Sequence, residues 1–175
     1  MLRDERPLVR ESAARVAGYF GYENCADLLL ECCDDEDERV RQAAVEHLPY
    51  LEDERVSNVL AKKLRSDTPR VRAAAAAALG KLPGSQTVLV TAFADEDSWV
   101  RYFAAQSLGR LNNPESVSAL IKVATIDPLN HVRIAAIQAL GSIGSQEAIE
   151  AIRGYLQSED KDLVRVAAEA LEGAN

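Results

Sequence analysis

The dipeptide Val-Arg occurs six times with an alanine pair close behind it, at Val9-Arg10, Val40-Arg41, Val71-Arg72, Val100-Arg101, Val132-Arg133 and Val164-Arg165. The intervals are 31, 31, 29, 32 and 32 residues. A period this steady, in segments such as VRAAAAAALG, VRYFAAQSLG and VRIAAIQALG, means one supersecondary unit copied and stacked, each copy burying its apolar face on its neighbours.

Aligning on Val-Arg exposes an acidic residue six positions before the arginine. Asp4 precedes Arg10, Asp35 precedes Arg41, Asp95 precedes Arg101, Asp127 precedes Arg133 and Glu159 precedes Arg165; in the third copy Asp67 is five before Arg72. These acids lie in turns of caps and breakers (SDTP, DEDS, IDPLN, SEDKD), where a carboxylate satisfies free amides at a helix start. The arginine one turn into that helix is placed to pair with it, and stacking would extend the pairs into a ladder. The following helix, here A, carries apolar residues at the valine and four and eight positions on, as in Val71, Ala75, Leu79 and Val132, Ala136, Leu140. Glycine or proline is expected to stop it, at Gly80, Gly109, Gly141 and Pro49. A second helix, B, then starts near Asn113-Pro114-Glu115 or Ser145-Gln146-Glu147, with apolar slots such as Val56, Val59, Leu60, Leu64 and Val117, Leu120, Ile121.

This helix pair, with its turn aspartate, first-turn arginine and VRxxAAxALG signature, resembles the HEAT repeat, and most closely the bacterial HEAT-like repeat first described in phycobilisome lyases. The resemblance spans the chain and implies an all-α, right-handed α-α superhelix of about five helix pairs plus a final helix. It predicts a single domain over 1–175 with repeats starting near 5, 36, 67, 96, 128 and 160. The array opens and closes on A helices, and Leu163, Val166 and Leu171 of the last are expected to be partly uncovered. End-to-end self-association, or a place within a longer repeat protein, follows as an expectation.

Chemistry has little foothold. Some HEAT-like proteins are di-iron hydroxylases with repeated His-Glu pairs, but the only adjacent pair here is Glu46-His47, in reverse order, and His131 stands apart. The acidic run Asp34 to Glu38 lacks the glycine and alternation of a calcium loop. Serines at Ser66, Ser85, Ser98, Ser145 and Ser158 sit at turns and helix starts as caps, and no phosphate loop or nucleophile elbow is present. A HEAT-like DNA glycosylase would use an aromatic such as Trp99 beside Asp95, Asp97 and Tyr102. The net charge of -8 and the lack of basic neighbours oppose nucleic acid as a partner. Cys25, Cys32 and Cys33 share one face of a single expected helix, as buried small apolar residues do, and lack the pair spacing of a zinc site. No metal and no cofactor are expected. With no apolar run of about 20 residues and no signal-peptide h-region, the chain reads as soluble and cytoplasmic, with no membrane partner.

Recognition is then expected in slots that vary between copies. The position before Val-Arg reads Leu8, Arg39, Arg70, Trp99, His131 and Leu163 and is predicted to face outward. Trp99, with Tyr102 and Gln106 one and two turns on, is the aromatic candidate, set against a local packing role. In HEAT solenoids B helices line the concave face, which by that resemblance presents Asn58, Lys62 and Arg65, then Val90 and Thr91, Lys122 and Val123, and Arg153 and Tyr155. Their positive charge in an acidic protein suits an acidic or amphipathic peptide. The expected function is a non-enzymatic scaffold binding a protein or peptide along that face. The alternative is a lyase-like or chaperone-like subunit of a bilin (tetrapyrrole) attachment or enzyme-assembly system.

Overall fold

The computed structural model describes residues 1–20 and 25–173, and among these the regular structure is helical throughout, with no strand. Contacts gather into two compact units, Met1–Leu82 and Pro83–Asn175. The first holds α1 (Pro7–Tyr19), α2 (Ala26–Cys32), α3 (Glu38–His47), α4 (Arg55–Arg65) and α5 (Pro69–Leu79). The second holds α6 (Gln86–Thr91), α7 (Ser98–Leu111), α8 (Val117–Ile126), α9 (Asn130–Ile143), α10 (Gln146–Gly154) and α11 (Lys161–Gly173). Odd-numbered helices are the A helices and even-numbered ones the B helices.

Within the first unit α1 packs on α3 and α3 on α5; within the second α7 packs on α9 and α9 on α11, with B helices against them. The predicted apolar face is the one that is buried: Val71, Ala75 and Leu79 in α5, and Val132, Ala136 and Leu140 in α9, have no exposed surface. Alanine at the middle slot lets A helices approach closely while valine and leucine fill the space on either side.

Helix starts follow the predicted turn chemistry. Proline occupies the first turn of α1 and α5, and the Asp37 and Asp97 carboxylates accept the amides of Arg39 (2.9 Å) and Trp99 (2.8 Å). The sixth A helix, α11, departs from the Val-Arg alignment by one residue. The amides of Arg101, Arg133 and Val164 bond respectively to the carbonyls of Asp97, Leu129 and Asp160, the residue before each helix. Val164 therefore stands where the other copies have arginine, and Leu163, fully buried, stands in the valine slot. Asp160 sets this register by capping the amides of Asp162 and Leu163. Leu163 thus points into the core rather than outward, and it and Val166 are buried where partial exposure was expected; Leu171 is half-buried.

The expected stops also need correction. Gly80 does cap α5, but Gly109 and Gly141 lie inside α7 and α9, which end at Asn112 (φ 50°) and Gly144 (φ 60°) in left-handed conformation. Pro49 sits in a 3-10 turn, Leu48–Tyr50. What Gly109 and Gly141 provide is room. A Cβ on Gly109 would lie 2.7 Å from the Ala139 Cα, and one on Gly141 2.8 Å from the Ala170 Cβ. Gly109→Ala should therefore cost about 1 to 3 kcal/mol through forced separation of α7 and α9. Gly154→Ala, with nothing within 4 Å of its Cβ, should leave the urea midpoint unchanged or raise it; equal losses in both variants would refute the close-approach role.

Candidate functional site

The turn aspartates and first-turn arginines are paired, but forward along the chain rather than within a copy. Arg10 grips Asp35 through Nε (2.7 Å) and Nη2 (2.9 Å), Arg41 grips Asp67 (3.1 and 2.9 Å), and Arg101 grips Asp127 (2.7 and 3.2 Å). Each arginine turns its Nη1 back to a main-chain carbonyl of its own turn: Arg10 to Asp4, Arg41 to Asp35, Arg72 to Asp67 and Arg101 to Asp95. The expected carboxylate pairing six residues back is thus a carbonyl contact, and the carboxylate partner belongs to the next repeat. Burial pushes Asp35 and Asp67 up, yet the guanidinium bonds and turn amides outweigh it and hold both below the ordinary carboxylate range. Glu159 and Arg165 lie outside this pattern. Glu159 is exposed, and Arg165 pairs at the surface with Asp162 (4.0 Å) and Glu169 (2.8 Å).

Lys63, which the sequence did not single out, is buried and bonds Asp34 (2.7 Å) and Asp67 (3.0 Å). Burial pulls its pKa down, but the two carboxylates raise it overall, so it stays charged. Its neighbour Lys62 looks identical in sequence and is exposed, 3.7 Å from Asp34. The helical position of Lys63 four residues before Asp67 was the available signal.

The outward slots of the B helices are largely where expected. Asn58 and Arg65 on α4 and Lys122 and Arg153 on α8 and α10 are exposed; Tyr155 is half-buried, its hydroxyl 3.1 Å from Thr125 Oγ1. Val123 is the exception, being buried. Among the described residues neither Lys122 nor Arg153 makes an ion pair. Beside Lys122, in the second unit, opens a groove of about 700 Å³ whose walls include Val90, Phe93, Val123 and Ile126 and which reaches the Arg101–Asp127 pair. Phe93 and Ile126 were not anticipated, because the 3-10 turn Ala92–Ala94 interrupts the helical spacing that would have placed Phe93.

Trp99 is 55% exposed. Its ring lies 5.1 Å from His131, 5.5 Å edge-on from Tyr102 and 6.3 Å from Phe103. One cluster thus joins α7 and α9 and leaves a broad aromatic edge outside, so local packing and exposure hold together at Trp99.

Other titratable groups are occupied structurally. Cys25 and Cys33 flank α2 rather than share it; burial pushes the thiols of Cys32 and Cys33 up to about 11 and about 12, keeping them protonated. His47 Nδ1 lies 2.9 Å from the Ala43 carbonyl. Among the described residues no cluster of His, Cys, Asp and Glu is arranged to hold a metal ion, and no helix is long and apolar enough to cross a membrane.

The family described as HEAT repeats matches residues 1–80 and 85–172. Among solved structures, the CpcE–CpcF complex of phycocyanin lyase from Nostoc sp. PCC7120 is similar over 86% of this chain and 65% of that chain, at 25% identity and a TM-score of 0.70. A designed armadillo repeat protein in complex with the peptide (KR)4 is similar over 99% of this chain and 96% of its own, at 19% identity and a TM-score of 0.69. An engineered protein matches over 99% and 95%, at 22% identity and a TM-score of 0.67. The last two likenesses show the fold alone. No curated protein matches the chain.

Proposed function

The chain belongs to the HEAT repeat family, and on that premise we propose that it is a cytoplasmic protein-interaction scaffold with no chemistry of its own, binding a peptide or protein on its B-helix face. The observation that carries this is the exposed, unpaired Lys122 and Arg153 in equivalent slots of α8 and α10, the first of them lining an open groove with apolar walls. An amphipathic acidic segment fits both: apolar side chains enter the groove and carboxylates meet the cations. Tyr155, Lys62 and Arg65, and the aromatic pair Trp99 and Tyr102, are further contact candidates. A partner neutralising phosphates is disfavoured by the net charge of -8.

A peptide array probed with the purified protein tests this. Lys122→Glu with Arg153→Glu should lower retention of acidic-apolar peptides about tenfold or more while the Tm is kept; unchanged retention rejects the B-helix face. A second reading, a lyase-like or chaperone-like subunit of a bilin attachment or assembly system, is supported by the likeness to the phycocyanin lyase complex. An unshifted tetrapyrrole absorption spectrum on titration with the protein would dismiss bilin handling.

A further inference from the structure

Ser158 interrupts the ladder. In the intact rungs the acceptor stands 25 or 26 residues after its arginine, and the side-chain oxygens of Asp35 and Asp127 also accept the amide two residues on, from Asp37 (2.9 Å) and Leu129 (3.0 Å). Ser158 stands 25 residues after Arg133, and its Oγ accepts the Asp160 amide (3.2 Å) in the same way. It therefore fills the backbone role of the turn aspartate but offers no carboxylate. Arg133, correspondingly, turns its Nε to the Ala124 carbonyl (2.9 Å) in the last turn of α8, the B helix of the preceding repeat, and among the described residues no carboxylate is bonded to it.

Asp160 feels the charge of Arg133, but it is committed elsewhere. Asn130 Nδ2 bonds it (2.5 Å), and it caps the amides of Asp162 and Leu163. The open rung also stands on the face already described. Asp127 and Lys122 line one groove, and Ser158 and Arg153 are their counterparts 31 residues further on, with the same spacing of five between them. Arg133 thus lacks the carboxylate that three other repeats supply, and Arg153 holds the slot that Lys122 holds beside Asp127.

We propose that Arg133 and Arg153 form a carboxylate-binding subsite, in which an Asp or Glu side chain of an acidic partner segment supplies the missing rung opposite Arg133. The proposal rests on the scaffold reading and names the chemistry its partner must carry. Arginine suits the task because its fork receives both carboxylate oxygens, as Arg10 and Arg101 do within this chain.

The test is fluorescence anisotropy with a labelled octapeptide of alternating glutamate and leucine, beside one of alternating lysine and arginine. Ser158→Asp supplies the rung internally, so it should raise the Tm and weaken the acidic peptide about tenfold. Arg133→Gln should weaken it similarly, and adding Ser158→Asp to Arg133→Gln should neither raise the Tm nor weaken binding further. Unchanged binding in Ser158→Asp with weakened binding in Lys122→Glu overturns the subsite and leaves the scaffold reading standing. Additive losses in the double variant overturn it too, since they mean plain repulsion. Binding of the basic peptide alone overturns the subsite and the acidic partner, and binding of neither overturns the scaffold reading as well.

Discussion

Asp67→Ala should destabilise the 1–82 unit by about 3 to 5 kcal/mol, the cost of leaving a buried cation without its partner, whereas Arg165→Ala should not move the urea midpoint measurably. Both residues belong to the Asp and Val-Arg pattern, and only their surroundings differ. The Asp67 side chain is 7% exposed and receives Arg41, Lys63 and the Thr68 amide. Its removal strands the Arg41 guanidinium and leaves Lys63 only the more exposed Asp34. The Arg165 side chain is 58% exposed, and its partners are as solvated as it is. The same variant should change the acid response. Asp34, Asp35 and Asp67 have folded pKa values below the ordinary carboxylate value of about 4. Their contribution is complete above that value and is lost as pH falls through the folded values, so Asp67→Ala should flatten the acid limb of the stability profile. A full acid limb in the variant, or a loss no larger than that of Arg165→Ala, would show that the rung does not hold the turn.

The forward direction of the rungs explains why sequence spacing alone points to the wrong partner. An acid six residues before an arginine is close in sequence, but the chain between them is a turn whose carbonyls face the guanidinium. Arg41 meets the Asp35 and Glu36 carbonyls on that side, which leaves Nε and Nη2 directed at the next repeat. Local periodicity can register which residues recur; it holds no information on which copy supplies the carboxylate, because every copy carries one. The same limit hides Lys63, since a lysine adjacent to Lys62 becomes an interior ion only once the turn that carries Asp34 lies against α4 and the turn after α4 brings Asp67 to it. The helix faces, by contrast, were legible outright. Burial of Val71, Ala75 and Leu79 depends on a 3.6-residue period, and that is a property of the segment itself.

On the candidate face the sequence identified the charges and missed the hollow between them. Lys122 and Arg153 stand out as cations at equivalent positions, and the structure leaves both exposed. The apolar walls arise from Phe93 in a 3-10 turn and from Ile126 at the last position of α8, two places where the helical pattern gives no direction. Ser158 was legible only as a turn residue. Its interest comes from comparison with Asp35, Asp67 and Asp127 once the rungs are known.

Leu163→Ala and Val164→Ala put the register of the last helix to a direct test. Alignment on Val-Arg makes Val164 the core residue of that copy, and its truncation would then be the costly one. In the structure Leu163 has no exposed surface and occupies the slot of Val100 and Val132, while Val164 stands half-buried where Arg101 and Arg133 stand in earlier copies. Truncating Leu163 removes three carbons from a packed contact between α11 and α9, so the loss should be about 2 to 5 kcal/mol. Val164→Ala should cost less, about 1 kcal/mol, since it removes two carbons rather than three and part of the side chain remains in water. The order of the two urea midpoints decides the matter. If Val164→Ala were the more damaging, the helix would begin one residue later, Arg165 would return to the ladder, and the vacancy at Ser158 would close with it.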